Sequence, residues 1–129
     1  MSDAIREVRS DAAPRPVGPY SQAVVAGGLV FASGQLPLHP ESGQLVEGDV
    51  AVQTERVISN LRAVLEAAGA SLARVVRVTV YLADLADWPR MNEVYARHFT
   101  SEPKPARTAI QAGALPRGAA LELDAIAAL

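Results

Sequence analysis

The sequence has no cysteine, only two histidines, and no apolar run of membrane-spanning length. Without cysteine the chain forms no disulfide bond, no zinc site built on thiolates and no cysteine nucleophile. The two histidines, His39 and His98, are far apart and lack the spacing of helical metal ligands, so we predict no metal site. We expect His98 to pack in the core on the buried side of a helix, and His39 to be solvated in a loop.

Charge is also sparse. The net charge is −2 and the arginines are scattered, so nucleic acid is not expected as a main partner. Lysine occurs once, at Lys104, with arginine used everywhere else, which we interpret as a compositional bias without functional meaning. Residues 1–6 contain no apolar h-region, and we therefore expect a cytoplasmic protein that does not bind membranes.

Motifs for phosphate binding or serine nucleophiles are lacking too. Gly27-Gly28 has neither the downstream lysine nor the helix start of a phosphate loop. Ser33-Gly34 lacks the frame of a nucleophile elbow. No cofactor is therefore predicted.

The length predicts a single domain over residues 1–129, with one hydrophobic core. Residues 5–9 suit a short edge strand. Two apolar runs, 23–26 and 29–32, flank Gly27-Gly28, which is a good hairpin signal. A strand is expected over 74–83, with Val76, Val78, Val80 and Leu82 on one face.

Two helices are predicted between these strands. Asp49 is a plausible N-cap for the first helix, and Gly69 occupies the position of a terminating glycine. Its apolar stripe consists of Val50, Val57, Ile58, Leu61, Val64, Leu65 and Ala68. Asp84 or Asp87 caps the second helix, with Pro89 in its first turn. Its buried stripe consists of Met91, Val94, Tyr95, His98 and Phe99.

The resulting order, β-β-β-α-β-α-β-β, predicts a two-layer α+β domain with both helices on one face of the sheet. The uncovered face would consist of small and apolar residues with a few polar side chains among them. These polar side chains are Arg77, Thr79, Tyr81, Arg107 and Glu122. Because that face is too apolar to be left in water, we predict self-association through it.

The last two strands hold the chemically most interesting pair. Residues 106–112 and 120–126 both alternate in polarity, and the segment between them has turn chemistry. If they form an antiparallel hairpin that pairs 110 with 119, Arg107 lies opposite Glu122. On spacing alone, an ordinary cross-strand salt bridge is the better explanation of this pair.

The polar side chains left without a metal or obvious nucleophile are Tyr20, Ser33, Asn92, Arg107 and Glu122. An arginine in a partly desolvated sheet face is well suited to hold a carboxylate through two parallel hydrogen bonds. A nearby glutamate is able to position a water or exchange a proton. Together they favour a small acid substrate that undergoes hydration or proton transfer.

Seven segments in this order resemble the reactive intermediate deaminase family, RidA/YjgF, over nearly the whole chain. They are Gly18-Pro19-Tyr20-Ser21-Gln22-Ala23, Ser33-Gly34-Gln35, the helix from Asp49 to Gly69, Val78-Thr79-Val80-Tyr81-Leu82, Asn92-Glu93-Val94-Tyr95, Pro105-Ala106-Arg107-Thr108 and residues 121–127.

The resemblance implies a chorismate-mutase-like (YjgF-like) domain with a mixed sheet, and a homotrimer with an inner barrel and three clefts between subunits. It further implies a 2-iminobutanoate/2-iminopropanoate deaminase type of hydrolase without a cofactor. Such enzymes hydrolyse reactive enamines and imines, such as 2-aminoacrylate and its imine tautomer, to 2-keto acids and ammonia.

The same resemblance assigns roles to individual residues. Arg107 matches the substrate-binding arginine and Glu122 the catalytic carboxylate. Tyr20, Ser33, Gly34, Asn92 and Ala109 match substrate-binding positions. Many members have a cysteine where this chain has Ala109, so a role for a thiol would be lost, whereas a role for the backbone N–H would remain.

Three alternatives remain open at this point. One is a non-catalytic trimer that binds small carboxylates in a regulatory role. Another is a related deaminase of a larger catabolic substrate such as 2-aminomuconate. The third is a chaperone-like protein that uses exposed apolar surface and has no site.

Overall fold

A computed structural model describes residues 4–129; the first three residues of the N-terminal segment 1–6 lie outside the described residues. The predicted order of strands and helices is confirmed. The elements are β1 (Arg6–Val8), β2 (Ala23–Ala26), β3 (Leu29–Gln35), α1 (Val50–Ala67), β4 (Val75–Leu82), α2 (Trp88–His98), β5 (Ala106–Gln111) and β6 (Leu121–Ala128).

The six strands form one mixed sheet in the order β1-β2-β3-β6-β4-β5. All neighbours are antiparallel except β4 and β5, which run parallel. The predicted hairpin of β2 and β3 is confirmed, with Gly27 and Gly28 at φ values of 57° and 77°. Such left-handed conformations are needed for a tight turn whose twist matches the strands, and glycine adopts them without steric cost.

Helix α1 begins and ends as its sequence predicts. The Asp49 carboxylate accepts a hydrogen bond from the Val52 N–H at 3.1 Å, and Gly69 follows the helix with a φ of 91°. All seven residues of the predicted apolar stripe are buried. They form one core with α2 and with the alternating side chains of β4 and β6, which include Val78, Val80 and Leu123. The predicted two-layer α+β fold is therefore confirmed.

The predicted hairpin of β5 and β6 is wrong. Strand β6 lies between β3 and β4, while β5 pairs only with β4 at the edge of the sheet. The register places Arg107 beside Val78 and Glu122 beside Tyr81. Arg107 therefore does not lie opposite Glu122.

Two smaller expectations also need correction. Val76 is exposed and Val75 is buried, because the register of β4 against β6 shifts between Val75 and Arg77. His98 does not pack in the core: its Nε2 lies 2.9 Å from the Glu55 carboxylate and its Nδ1 lies 3.0 Å from the Arg62 guanidinium. It thus joins α2 to α1 at their polar margin.

Candidate functional site

Arg107 leaves the sheet on the side of the helices. Paired residues of neighbouring strands point to the same face, and the partner of Arg107 in β4 is Val78, which is fully buried in the core. The expectation that Arg107 occupies the uncovered face is therefore wrong. Because β5 is the edge strand, the side chain lies at the margin of the core and is only partly buried.

Helix α2 holds the guanidinium of Arg107 in place. Nη1 of Arg107 donates a hydrogen bond to Oδ1 of Asn92 at 2.7 Å. The guanidinium carbon lies 4.7 Å from the ring centre of Tyr95 and 5.9 Å from that of Trp88, within the range of cation–π attraction. Asn92 and Tyr95 are three residues apart, so they share one face of the helix.

The charge of Arg107 has no anionic partner within residues 4–129. One of its five N–H donors is bonded to Asn92, which leaves a fork able to bind a planar carboxylate. Burial raises the pKa of the Tyr95 hydroxyl, although the charge of Arg107 opposes the shift. Tyr95 is therefore neutral at pH 7 and does not cancel the positive charge.

A cavity of about 310 Å³ opens beside this guanidinium. We call it the arginine cavity, and its lining residues are Asn92, Tyr95, Ala96, Phe99, Lys104, Pro105 and Arg107. The rings of Tyr95 and Phe99 stack with their centres 4.3 Å apart and form an aromatic wall. The arginine cavity combines two cations with an apolar wall, which suits a small organic acid.

Glu122 lies on the opposite face of the sheet. It pairs with Tyr81 in β4 and alternates with Leu121 and Leu123, which are fully buried under the helices. Burial is the main reason why the pKa of the Glu122 carboxyl is raised, and the negative charge of Asp124 raises it further. The carboxyl is therefore a better proton acceptor than an ordinary surface glutamate.

Gly34 allows the Glu122 carboxyl to lie directly against the backbone of β3. A Cβ atom at position 34 would overlap an Oε of Glu122 and lie 2.9 Å from its Cδ. Any other residue would force the carboxyl to move. We call Ser33, Gly34 and Glu122 the glutamate face.

Ser33 belongs to the glutamate face, and Tyr20 lies beside it. Ser33 Oγ donates a hydrogen bond to the Ser21 carbonyl at 2.6 Å and keeps its lone pairs as acceptors. Tyr20 is half exposed, and its hydroxyl accepts a hydrogen bond from the Val17 N–H at 3.3 Å. Tyr20 also lines a small cavity together with Gly34.

The predicted site residues thus fall into two groups. Arg107, Asn92 and Ala109 lie on the helix side, where Ala109 packs against the core. Tyr20 and the glutamate face form the other group. The alternation within β5 and β6 is compatible with Arg107 and Glu122 on the same face of the sheet or on opposite faces. Only the pairing of the strands decides between these two arrangements.

Sequence reasoning missed two members of the arginine cavity. Tyr95 was assigned to the core stripe of α2, and Lys104 to compositional bias. The signal for Tyr95 is its position one turn after Asn92 on α2, whereas the sequence pattern gives no comparable signal for Lys104. Within residues 4–129, no group of three or more acidic or histidine side chains is placed to hold a metal ion. No helix in this range has the length and apolar character needed to cross a membrane.

Comparison with known proteins finds full-length relatives. The family model described as Endoribonuclease L-PSP matches residues 10–129. A RutC family protein of Pyrococcus abyssi is 52% identical over 118 residues, which cover 92% of each chain. A human 2-iminobutanoate/2-iminopropanoate deaminase is 45% identical over 98% of this chain and 93% of its own length.

A solved structure agrees with the fold. RidA from an Antarctic Psychrobacter species superposes with a TM-score of 0.91 and 45% sequence identity, covering 96% of this chain and 99% of the other.

Proposed function

Because the chain belongs to the Endoribonuclease L-PSP family, also known as YjgF/RidA, we propose that it is a hydrolytic deaminase of 2-imino and 2-enamino acids. Its products are 2-keto acids and ammonia. The human relative is named for this activity, and it matches nearly the whole chain at 45% identity.

The single observation that carries the proposal is the unpaired guanidinium of Arg107. Asn92 orients it, the ring of Tyr95 lies beneath it, and no carboxylate of residues 4–129 neutralises it. A partly desolvated cation of this kind needs an anion, and the planar fork fits a carboxylate best. Arg107 therefore binds the carboxylate of the imino acid.

Glu122 supplies the proton chemistry. Its carboxylate takes a proton from water as the water oxygen bonds to the imine carbon, and it passes this proton to the imine nitrogen as the C=N π bond breaks. In the resulting carbinolamine, Glu122 takes the hydroxyl proton and delivers it to the amino group, so that the C–N bond breaks, ammonia leaves and the C=O bond forms. Overall, one imine and one water give one ketone and one ammonia, so no cofactor or metal is required.

Positioning and charge account for the rate. Imines hydrolyse spontaneously in water, so the enzyme needs to lower the barrier by only a few kcal/mol, about 1.4 kcal/mol for each factor of ten. In this proposal Ser33 and the backbone at Gly34 hold the water near Glu122, while Tyr20 covers the substrate. Ala109 contributes only its backbone N–H group, since it has no polar side chain.

One subunit does not bring Arg107 and Glu122 together, because they lie on opposite faces of its sheet. We propose a homotrimer in which the arginine cavity of one subunit meets the glutamate face of the next. The exposed apolar side chains of Phe31 on β3 and Ile110 on β5 support this arrangement, since both are about 40% exposed in the single chain and lie on the sheet face away from the helices.

The family name, Endoribonuclease L-PSP, raises RNA cleavage as an alternative. A net charge of −2 and scattered arginines give no surface that concentrates phosphate. We therefore propose a small-molecule enzyme that works in the cytoplasm without nucleic acid or membrane partners.

The test is a coupled assay in which an amino acid dehydratase releases 2-aminoacrylate and keto-acid formation is followed. We expect the protein to accelerate keto-acid formation, and the Arg107→Ala variant to lose at least about 100-fold in kcat/KM because a charged hydrogen-bonded anchor is gone. Arg97→Ala is the matched control, since Arg97 is an exposed arginine of α2 that pairs with Glu55 of α1.

Two results would contradict the proposal. If the wild-type protein binds a small carboxylate but keto-acid formation is no faster than in buffer, the protein is a binding protein and not a deaminase. An Arg107→Ala variant with unchanged kcat/KM would show that the guanidinium does not bind the substrate.

A further inference from the structure

The arginine cavity contains a second cation that the proposed reaction does not use. Lys104, the only lysine of the chain, lines this cavity together with Arg107. Lys104 lies two residues before β5 begins, and Arg107 is the second residue of β5, so their Cα atoms lie at most about 11 Å apart. One small ligand is able to reach both charges.

Lys104 is held only by weak contacts on the protein surface. Its Nζ donates to the Glu102 carboxylate at 2.7 Å and to the Ser101 carbonyl at 3.3 Å. Both side chains of the Lys104–Glu102 pair are more than half exposed. Such pairs contribute about 0–1 kcal/mol, so a ligand carboxylate is able to displace Glu102 at little cost.

We propose that Lys104 determines substrate specificity by binding a second, distal carboxylate, so that the enzyme prefers the imines of acidic amino acids. This inference rests on the proposed deaminase function and names its substrate class. Arg107 binds the carboxylate next to the imine carbon, and Lys104 binds the carboxylate at the other end of the carbon chain.

The apolar wall of the arginine cavity fits the middle of such a substrate. Tyr95 and Phe99 present stacked rings to the cavity, and an apolar wall favours methylene groups over water. Once Arg107 has bound the first carboxylate, the second is held near Lys104 at a high effective concentration. It therefore competes well with Glu102, whose side chain is about three-quarters exposed.

The experiment compares substrates that differ by one carboxylate. Amino acid oxidases generate 2-iminopropanoate, 2-iminosuccinate and 2-iminoglutarate in place, and keto-acid formation is measured for wild type and variants. We expect Lys104→Met to raise KM for the two dicarboxylates about tenfold, as befits the loss of one charged hydrogen bond. We expect its KM for 2-iminopropanoate to stay within about twofold, since Arg107 is intact.

Three further variants sharpen the result. Lys104→Arg keeps the charge and should keep the preference. Glu102→Gln removes the competing carboxylate and should lower KM for the dicarboxylates. Arg97→Gln removes one positive charge from an exposed residue of α2 that pairs with Glu55 of α1, and should change nothing.

A binding measurement separates this inference from the proposed function. Calorimetry with glutarate and butanoate is expected to show tighter binding of glutarate, and Lys104→Met is expected to abolish the difference. If no imine is hydrolysed but glutarate still binds through Lys104, the deaminase proposal fails and the dicarboxylate site stands. If imines are hydrolysed without preference, or Lys104→Met affects all substrates equally, the inference is overturned and the deaminase proposal stands.

Discussion

Arg107 and Glu122 leave the same sheet on opposite faces, Arg107 beside α2 and Glu122 against the backbone of Gly34. Within one chain the sheet itself lies between the two groups. A reaction that needs both groups therefore needs at least two subunits, which leads directly to a test by subunit mixing.

Mixing two inactive variants should restore activity. In the proposed homotrimer, Arg107→Ala and Glu122→Gln are each expected to inactivate every site of their own variant. If subunits are mixed in equal amounts by refolding, about a quarter of the sites in a closed ring receive Arg107 from one subunit and Glu122 from the next. The measurement is kcat of the mixture, with the mass checked by light scattering, and a mixture no more active than its components argues against a shared site.

Asn92 should act on catalysis through Arg107. Asn92→Ala removes the acceptor at 2.7 Å from the guanidinium, and we expect kcat/KM to fall about tenfold, near the worth of one charged hydrogen bond. Asn92→Asp should be more damaging, because an aspartate neutralises the cation that binds the substrate. Equal activity of the Ala and Asp variants would show that a negative charge at position 92 does not weaken substrate binding by Arg107.

Gly34→Ala should impair catalysis by displacing the Glu122 carboxyl, which a Cβ at position 34 would overlap. We expect kcat to fall about tenfold or more, because the reacting groups lose their alignment. Gly113→Ala is the matched control, since a Cβ there meets no atom within 4 Å. A Gly34→Ala variant with the kcat of wild type would mean that the position of Glu122 is not critical.

The pH profile should report the ionisation of Glu122. Burial and then the charge of Asp124 raise the pKa of this carboxyl above its ordinary value of 4.5. Since the carboxylate form accepts the proton, kcat/KM should rise with pH along a limb centred above pH 4.5, and Glu122→Gln should lose both that limb and most activity.

Asp124→Asn offers a further check on the same limb. Without the neighbouring negative charge, ionised Glu122 is less destabilised, so its pKa falls and the limb moves to lower pH. The shift should be partial because burial is the larger cause. Asparagine still offers an acceptor to the Tyr81 hydroxyl, which donates to Asp124 at 3.0 Å, so a limb that stays in place would exclude a role for Asp124.

Local signals predicted the helices and the first hairpin well. Asp49 caps α1 and Gly69 ends it, and Gly27-Gly28 turns between β2 and β3. Each of these features depends on backbone groups a few residues apart, so side-chain chemistry in the sequence is enough to predict it.

Pairing between distant strands was not predictable in the same way. The alternation of polar and apolar residues in β5 and β6 shows that each is extended, but it does not show which strand pairs beside it. A β5–β6 hairpin would satisfy the same alternation as the observed parallel pair of β4 and β5. The observed pair is joined through α2 and also buries the apolar face of that helix.

The sequence by itself determined the secondary structure, the family and the identity of the candidate residues, because these follow from local patterns and from segments of characteristic residues. Only the tertiary structure decided that Arg107 lies with Asn92 and Tyr95, that Glu122 lies on the other face, and that Lys104 shares the arginine cavity. The reason is that the face and neighbours of a strand residue depend on which strand pairs beside it, and that choice is made by the packing of the whole core.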